Sequence, residues 1–156
     1  AVMGDASAEE DYVLSALAFA ATHRPPVLFV CIDNGLSVLT PIETRRSWSM
    51  VEHANFGMPA LEITDDPWLI IKSVERLSMN LPALLNIHTC RISPHACTRT
   101  DSLKEPEWDR FSLVKKDLEK IGLAHKIENI EQEALGYVRK KWQERIEEMK
   151  RVRRAI

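Results

Sequence analysis

A surface that holds nucleic acid needs an excess of basic side chains, and this sequence has none: 21 Lys and Arg stand against 23 Asp and Glu, a formal net charge of -2. That balance offers no field for a phosphate backbone and argues against nucleic acid as a partner. Cysteine is scarce too. Cys31, Cys90 and Cys97 are an odd number without CxxC spacing, so neither a disulfide framework nor a zinc site is indicated, and a reducing, cytoplasmic compartment is expected. Long apolar runs are missing, and with them any membrane span, and the first residues lack the basic start and apolar stretch of a signal peptide. What remains is a chain of 156 residues, 45% hydrophobic and 28% charged, which has the balance of a globular domain with a core. Its opening, Ala1-Val2-Met3-Gly4-Asp5, reads as the end of a strand already under way, so a fragment or one half of a split subunit is expected.

Strand and helix signals alternate along the chain. Ser7-Ala8-Glu9-Glu10 has the form of a capping box, and Val13, Leu14, Leu17, Ala18 and Ala21 follow at helical spacing, which predicts a helix from about Ala8 to Thr22. Arg24-Pro25-Pro26 stops it. Val27 to Ile32 is a continuous apolar run of the type found in parallel strands covered on both faces. The unit then repeats: Leu61-Glu62-Ile63 is a strand, Asp66-Pro67 starts a helix through Leu69, Ile70, Val74 and Leu77, and Ala83 to Ile87 is the next strand. Such alternation implies an α/β fold, a parallel sheet with right-handed crossovers and helices on both faces. The expected division is a cofactor-binding α/β part over 1–104 and a helical part over 105–156.

Parallel strands joined by helices have their carboxyl ends on one edge, where open α/β sheets bind ligands. Asp5, Asn34 and the segment from His88 to His95 should therefore share a crevice. Carboxylate and amide oxygens suit a hard cation such as Mg²⁺, which usually takes one or two protein carboxylates and completes its octahedron with water and phosphate. A helix starting near Ala8 would turn its positive end toward that phosphate. The same residues have plainer uses. Asp5 also suits a helix N-terminus, and Asp33-Asn34-Gly35 also suits a turn with one left-handed residue. His95 also suits an exposed loop, and Arg91 and Arg99 suit either phosphate or solvent. His23, His53, His88 and His125 read as structural or exposed, and the cysteines as small buried or loop residues.

Gly4-Asp5-Ala6, a helix, a buried strand and Asp33-Asn34-Gly35 resemble the thiamine diphosphate motif that begins Gly-Asp-Gly and ends Asn-Asn. Leu36-Ser37-Val38-Leu39-Thr40-Pro41 and Arg91-Ile92-Ser93-Pro94-His95 narrow the resemblance to the α subunit of 2-oxoacid dehydrogenase E1 components. It runs from Gly4 to roughly Glu148. The resemblance implies the thiamine diphosphate-binding fold, incomplete at its N-terminus, with a helical C-terminal extension. It also implies Mg²⁺ on Asp5, Asn34 and the backbone carbonyl of Leu36, bridging to the cofactor's diphosphate, with Gly4, Asp5, Ala6, Ser7, Asn34, Leu36 and His95 around the cofactor. His95 would sit over the cofactor and act in acyl transfer. The reaction implied is oxidative decarboxylation of a 2-oxoacid with transfer of the acyl unit to a lipoylated acyltransferase. The implied partners are a β-type subunit and the other half of the α subunit.

The chain departs from that pattern at four places. Ala6 stands for the second glycine, Asp33 for the first asparagine, and Ile32 where some members carry an arginine; Ala96 stands where regulated members have a phosphorylatable serine. These departures keep open a non-catalytic scaffold or assembly homologue, and an acetoin-cleaving or transketolase-like enzyme is a further alternative. From about Ile130 to Arg154 the chain reads as a helix with Val138, Trp142, Ile146, Met149 and Val152 on one stripe, for core or subunit packing. Its basic end, Lys150 to Arg154, reads first as a solvated face.

Overall fold

A computed structural model describes residues 1–53, 55–91 and 108–154. Its first compact unit, Ala1–Arg110, is built on a four-stranded parallel sheet. The elements run β1 (Val2–Gly4), α1 (Asp11–His23), β2 (Leu28–Asp33), a small hairpin β3 (Leu36–Ser37) and β4 (Thr40–Pro41), then α2 (Met50–His53), β5 (Ala60–Thr64), α3 (Pro67–Ser78) and β6 (Ala83–His88). The sheet order is β1-β2-β6-β5, so the last strand enters between the second and the one before it. The α/β architecture with a parallel sheet is as expected, with each strand within a residue or so of its apolar run.

Why both faces are covered follows from the two-residue period of a strand. On β2, Phe29 and Cys31 point to one face, where they meet Ala8, Leu17, Ala20, Met50, Met58 and Leu84. Leu28 and Val30 point to the other, where Ala83, Leu85 and Ile87 of β6 and Leu77, Ile70 and Val74 of α3 receive them. Leu84 and Leu85, adjacent on β6, are both fully buried, one in each layer. At about 1.5–3 kcal/mol for a buried leucine, neither layer tolerates a polar substitution cheaply.

The helix ends differ in how they are made. Asp66 caps α3, its Oδ1 accepting from the N-H groups of Trp68 (2.9 Å) and Leu69 (3.0 Å), with Pro67 at the first helical position. The capping box predicted at Ser7 does not form. Ser7–Glu9 is a single 3-10 turn in which Glu10 donates its N-H to the Ser7 carbonyl, and α1 proper begins at Asp11 with Glu10 as its N-cap and no side-chain cap bond. The tighter turn follows from burial: Ala8, inaccessible to solvent, is drawn into the α1-side core, and the backbone from Asp5 to Glu10 closes around it.

The second unit, from Phe111, holds the two helices α4 (Arg110–Lys120) and α5 (Ala124–Arg154). Gly122, at φ +78°, ends α4. Its N-H reaches the Glu119 carbonyl (3.0 Å) and that of Leu123 reaches Leu118 (3.0 Å), a Schellman closure that needs the left-handed residue. Lys115 and Glu131 join the two helices at 3.0 Å. The predicted stripe on α5 is not a core of this unit, because Val138, Trp142 and Met149 are all exposed. Its solvated side is laced by Lys141 to Glu144 (2.8 Å), Arg145 to Glu148 (2.5 Å) and Lys150 to Glu147 (2.9 Å). No helix among the described residues is long and apolar enough to cross a membrane.

The Asp66 cap gives a local test. Asp66→Ala should cost about 1 kcal/mol at the start of α3, raising amide exchange of Trp68 and Leu69 about fivefold, while Asp66→Asn, which keeps the acceptor, should leave both near the parent rate.

Candidate functional site at the carboxyl edge

The alternation that fills the core also decides what stands at the edge. Met3 of β1 packs with the α1-side layer, so Asp5, two residues on, follows it to that side. On β2, Asp33 continues the series of Phe29 and Cys31. Asn86 and His88 continue that of Leu84 on β6, and Glu62 that of Ala60 on β5. Five polar residues on four strands thereby share one face, one register step beyond the core. Asp5 and Asp33 are 3% and 4% exposed, Asn86 is also buried, and a buried acid must be matched by donors or by counter-charge.

The chain supplies the counter-charge from the segment after β2. Asp33 Oδ1 accepts the N-H of Gly35 at 3.0 Å and Asn34 Oδ1 accepts that of Leu36 at 3.0 Å, two successive side-chain turns with Gly35 at φ +69°. The β3-β4 hairpin and the 3-10 turn Ile42–Thr44 then bring the chain back over the edge, where Arg45 and Arg46 both bond the Ile42 carbonyl, at 2.9 and 3.0 Å. Arg45 lays Nη2 on Asp5 Oδ2 and Nη1 on Glu9 Oε1, the latter at 2.8 Å. Arg46 reaches Asp33 Oδ2 at 3.5 Å and Glu9 Oε1 at 3.4 Å, and its guanidinium lies 4.6 Å from the centre of the Trp48 ring. Asn86 Nδ2 donates to Asp33 Oδ2 at 3.4 Å. His88 stands between Asp33, at 3.8 Å, and Glu62, with which it makes a close contact.

The sequence-predicted residues are thus divided. Asp5 and Asn34 stand on adjacent strand ends, as expected, and the Leu36 backbone follows Asn34 in the same turn. Gly4 and Ser7 are exposed and Ala6 is half-buried. Ala6 sits at φ -70° and ψ -36°, a conformation open to any residue, so the missing second glycine costs the backbone nothing. The expected helix terminus is displaced along the chain, since a 3-10 turn over Ser7–Glu9 intervenes and α1 begins at Asp11. His95, Cys97 and Arg99 lie outside the described residues. Arg91 is described, and Nη1 donates to the Val38 carbonyl of the hairpin at 2.7 Å. Arg45 and Arg46 were not among the residues singled out by sequence; the doublet after the Pro41 hairpin was the available signal.

Both implied ligands can be tested against this chemistry. Asp5, Asn34 and the Leu36 carbonyl are hard oxygen donors of the kind Mg²⁺ takes, with a single carboxylate among them, so they fit an ion that shares its coordination with phosphate. No group of three His, Cys, Asp or Glu among the described residues would hold a metal unaided. Arg45 Nε and Arg46 Nη1 are buried without a hydrogen-bond partner among the described residues, which fits an anion nearby. One complication is plain: Asp5 Oδ2 already carries a guanidinium.

Comparison with known proteins agrees with the fold. Residues 1–154 match the Dehydrogenase E1 component family, and the chain belongs to it. Within that family it corresponds to the α-subunit type of the 2-oxoacid dehydrogenases, and its parallel sheet fits the thiamine diphosphate-binding fold. It is 27% identical over 121 residues to the 2-oxoisovalerate dehydrogenase subunit alpha 1, mitochondrial, of Arabidopsis thaliana, covering 72% of this chain and 25% of that protein. It is 27% identical over 135 residues to the pyruvate dehydrogenase E1 component subunit alpha of Zymomonas mobilis, covering 76% of this chain and 38% of that one. The chain therefore spans well under half the length of these relatives.

Beneath the edge, burial and the neighbouring carboxylate of Asp33 push the Cys31 thiol up to about 12. The thiolate is the reactive form, so in the folded protein iodoacetamide at about pH 8 should leave Cys31 unmodified, with full alkylation after denaturation, as read by mass spectrometry.

Proposed function

We propose that this chain forms the diphosphate side of a thiamine diphosphate site in a 2-oxoacid dehydrogenase E1 assembly of the cytoplasm. The observation that carries the reading is the carboxyl edge itself: Asp5 and the Asn34-Gly35-Leu36 turn on adjacent parallel strand ends, with two half-buried arginines on Asp5 and Asp33, in a chain of the E1 family. Asp5, Asn34 and the Leu36 carbonyl would hold Mg²⁺, and Gly4, Ala6 and Ser7 would line the approach of the diphosphate. The cofactor supplies the electron sink that decarboxylation of a 2-oxoacid requires and no side chain offers.

The chain's own residues do the positioning. The Asp33 and Asn34 turns fix the Leu36 carbonyl by tying up the neighbouring N-H groups, and Arg45 and Arg46 lie as counter-charge on the buried acids and offer N-H groups to an anion. His95 would act in proton and acyl transfer to the lipoyl group of an acyltransferase partner, with a β-type subunit and the remaining α-subunit segment completing the site. A scaffold without catalysis is the second reading, favoured by Ile32, an apolar and exposed residue at the edge where some members have arginine.

Cofactor binding separates the two. In the assembled complex, calorimetric titration should show saturable uptake of thiamine diphosphate with Mg²⁺, and its absence would leave the scaffold. His95→Asn should keep that binding yet slow acyl transfer to a lipoylated partner by at least roughly a hundredfold, the scale of general acid-base assistance; an unchanged rate would return His95 to an exposed loop residue.

A further inference from the structure

The Asp5 carboxylate is held by Arg45, and the arrangement around that pair is unusual in one respect: Arg45 has a second acid to hold. Nη2 lies on Asp5 and Nη1 on Glu9, so one guanidinium spans two carboxylates, with its side chain 12% exposed and Nε without a partner among the described residues. Glu9 is also within 3.4 Å of Arg46 Nε, which fixes its position whatever Arg45 does. With the guanidinium on Asp5 Oδ2, a divalent cation on either oxygen of the same carboxylate would stand a few ångströms from it, and two positive charges that close repel in a site largely shielded from water. We propose that Arg45 is an exchangeable cation on Asp5: it occupies the metal-binding carboxylate in the unloaded protein, pivots on Glu9 when a divalent ion enters, and turns its freed N-H groups to the phosphate that arrives with the metal.

The structure gives the exchange its parts. The acid needs a counter-charge at all times, because it is buried, and Arg45 supplies it when no metal does. Glu9 holds the guanidinium within reach, so the move is a rotation about one ion pair rather than a withdrawal into solvent. Arg46 stays on Asp33 and Glu9 throughout. The consequence is that metal alone binds weakly, because it must displace an ion pair, and that removing Arg45 makes Asp5 directly available.

The inference rests on the proposed reading of Asp5 as a metal ligand, and it is tested with the metal alone so that the two can fail separately. Mn²⁺ is titrated into the assembled protein and its free concentration followed by electron paramagnetic resonance, in the parent, in Arg45→Gln and in the double variant Arg45→Gln with Asp5→Asn. Arg45→Gln should bind Mn²⁺ at least about tenfold more tightly than the parent, and the added Asp5→Asn change should remove that gain. Equal affinity in the parent and Arg45→Gln overturns the exchange, even where thiamine diphosphate binding stands. A gain that survives Asp5→Asn overturns it as well. Should Arg45→Gln fail to fold, the parent decides alone: phenylglyoxal labelling of Arg45, read by mass spectrometry, should rise when excess Mn²⁺ is added, and labelling that stays constant refutes the pivot.

Discussion

A carboxylate taken out of water must find positive charge, and the carboxyl edge of this sheet is organised by that requirement. Asp5 and Asp33 are placed there by the strand period, which cannot be changed without turning Met3, Phe29 and Cys31 out of the core. The acids are therefore a fixed consequence of the register. Arg45 and Arg46 answer them, Glu9 shares both guanidinium groups, and the hairpin between β2 and α2 exists in the geometry that delivers the two arginines side by side. Breaking such a set by removing one partner costs about 3–5 kcal/mol, because the remaining charge stays buried. That cost ties the site's chemistry to the stability of the fold around it.

Much of the fold was legible in the sequence because its signals were local. The run from Val27 to Ile32 is too uniformly apolar for a one-sided strand, and the structure packs Val27 to Cys31 alternately into the α1-side and α3-side layers, leaving only Ile32 exposed at the edge. Asp66-Pro67 marked the start of α3 to the residue, since a cap and a proline act on the next two or three amides and nothing else. The error at Ser7 has the opposite origin. The pattern of a capping box was present, but Ala8 is pulled inward by contacts with residues far along the chain, and tertiary burial outweighed a local preference worth about 1 kcal/mol.

The site was legible only in part for the same reason. Asp5 and Asn34 are announced by neighbours of known type at strand ends, so topology alone brings them together. Arg45 meets Asp5 across 40 positions of sequence, through a hairpin whose path no periodicity describes. The Arg45-Arg46 doublet reads as surface charge until the return of the chain is known. The stripe on α5 shows the converse: its spacing was correctly read as a helix, yet spacing cannot say whether an apolar face is covered, and within its own unit it is not.

The two readings of Asp33-Asn34-Gly35, a turn or a ligand-bearing edge, need not compete. An amide oxygen has two lone pairs, and the N-H of Leu36 takes one of those on Asn34. The same bond holds the Leu36 peptide in place, and Asp33 does likewise for Gly35. A turn closed in this way has its N-H groups directed back at its own side chains. The second lone pair on Asn34 and the next carbonyl remain as acceptors, which is what a hard cation requires and an unstructured loop would not hold steady. Gly35 completes the argument, because its left-handed backbone lets two side-chain turns follow one another without a break. The turn is the means by which the strand end offers oxygen atoms at all, so the structural role of these residues would be the precondition of the chemical one proposed for them.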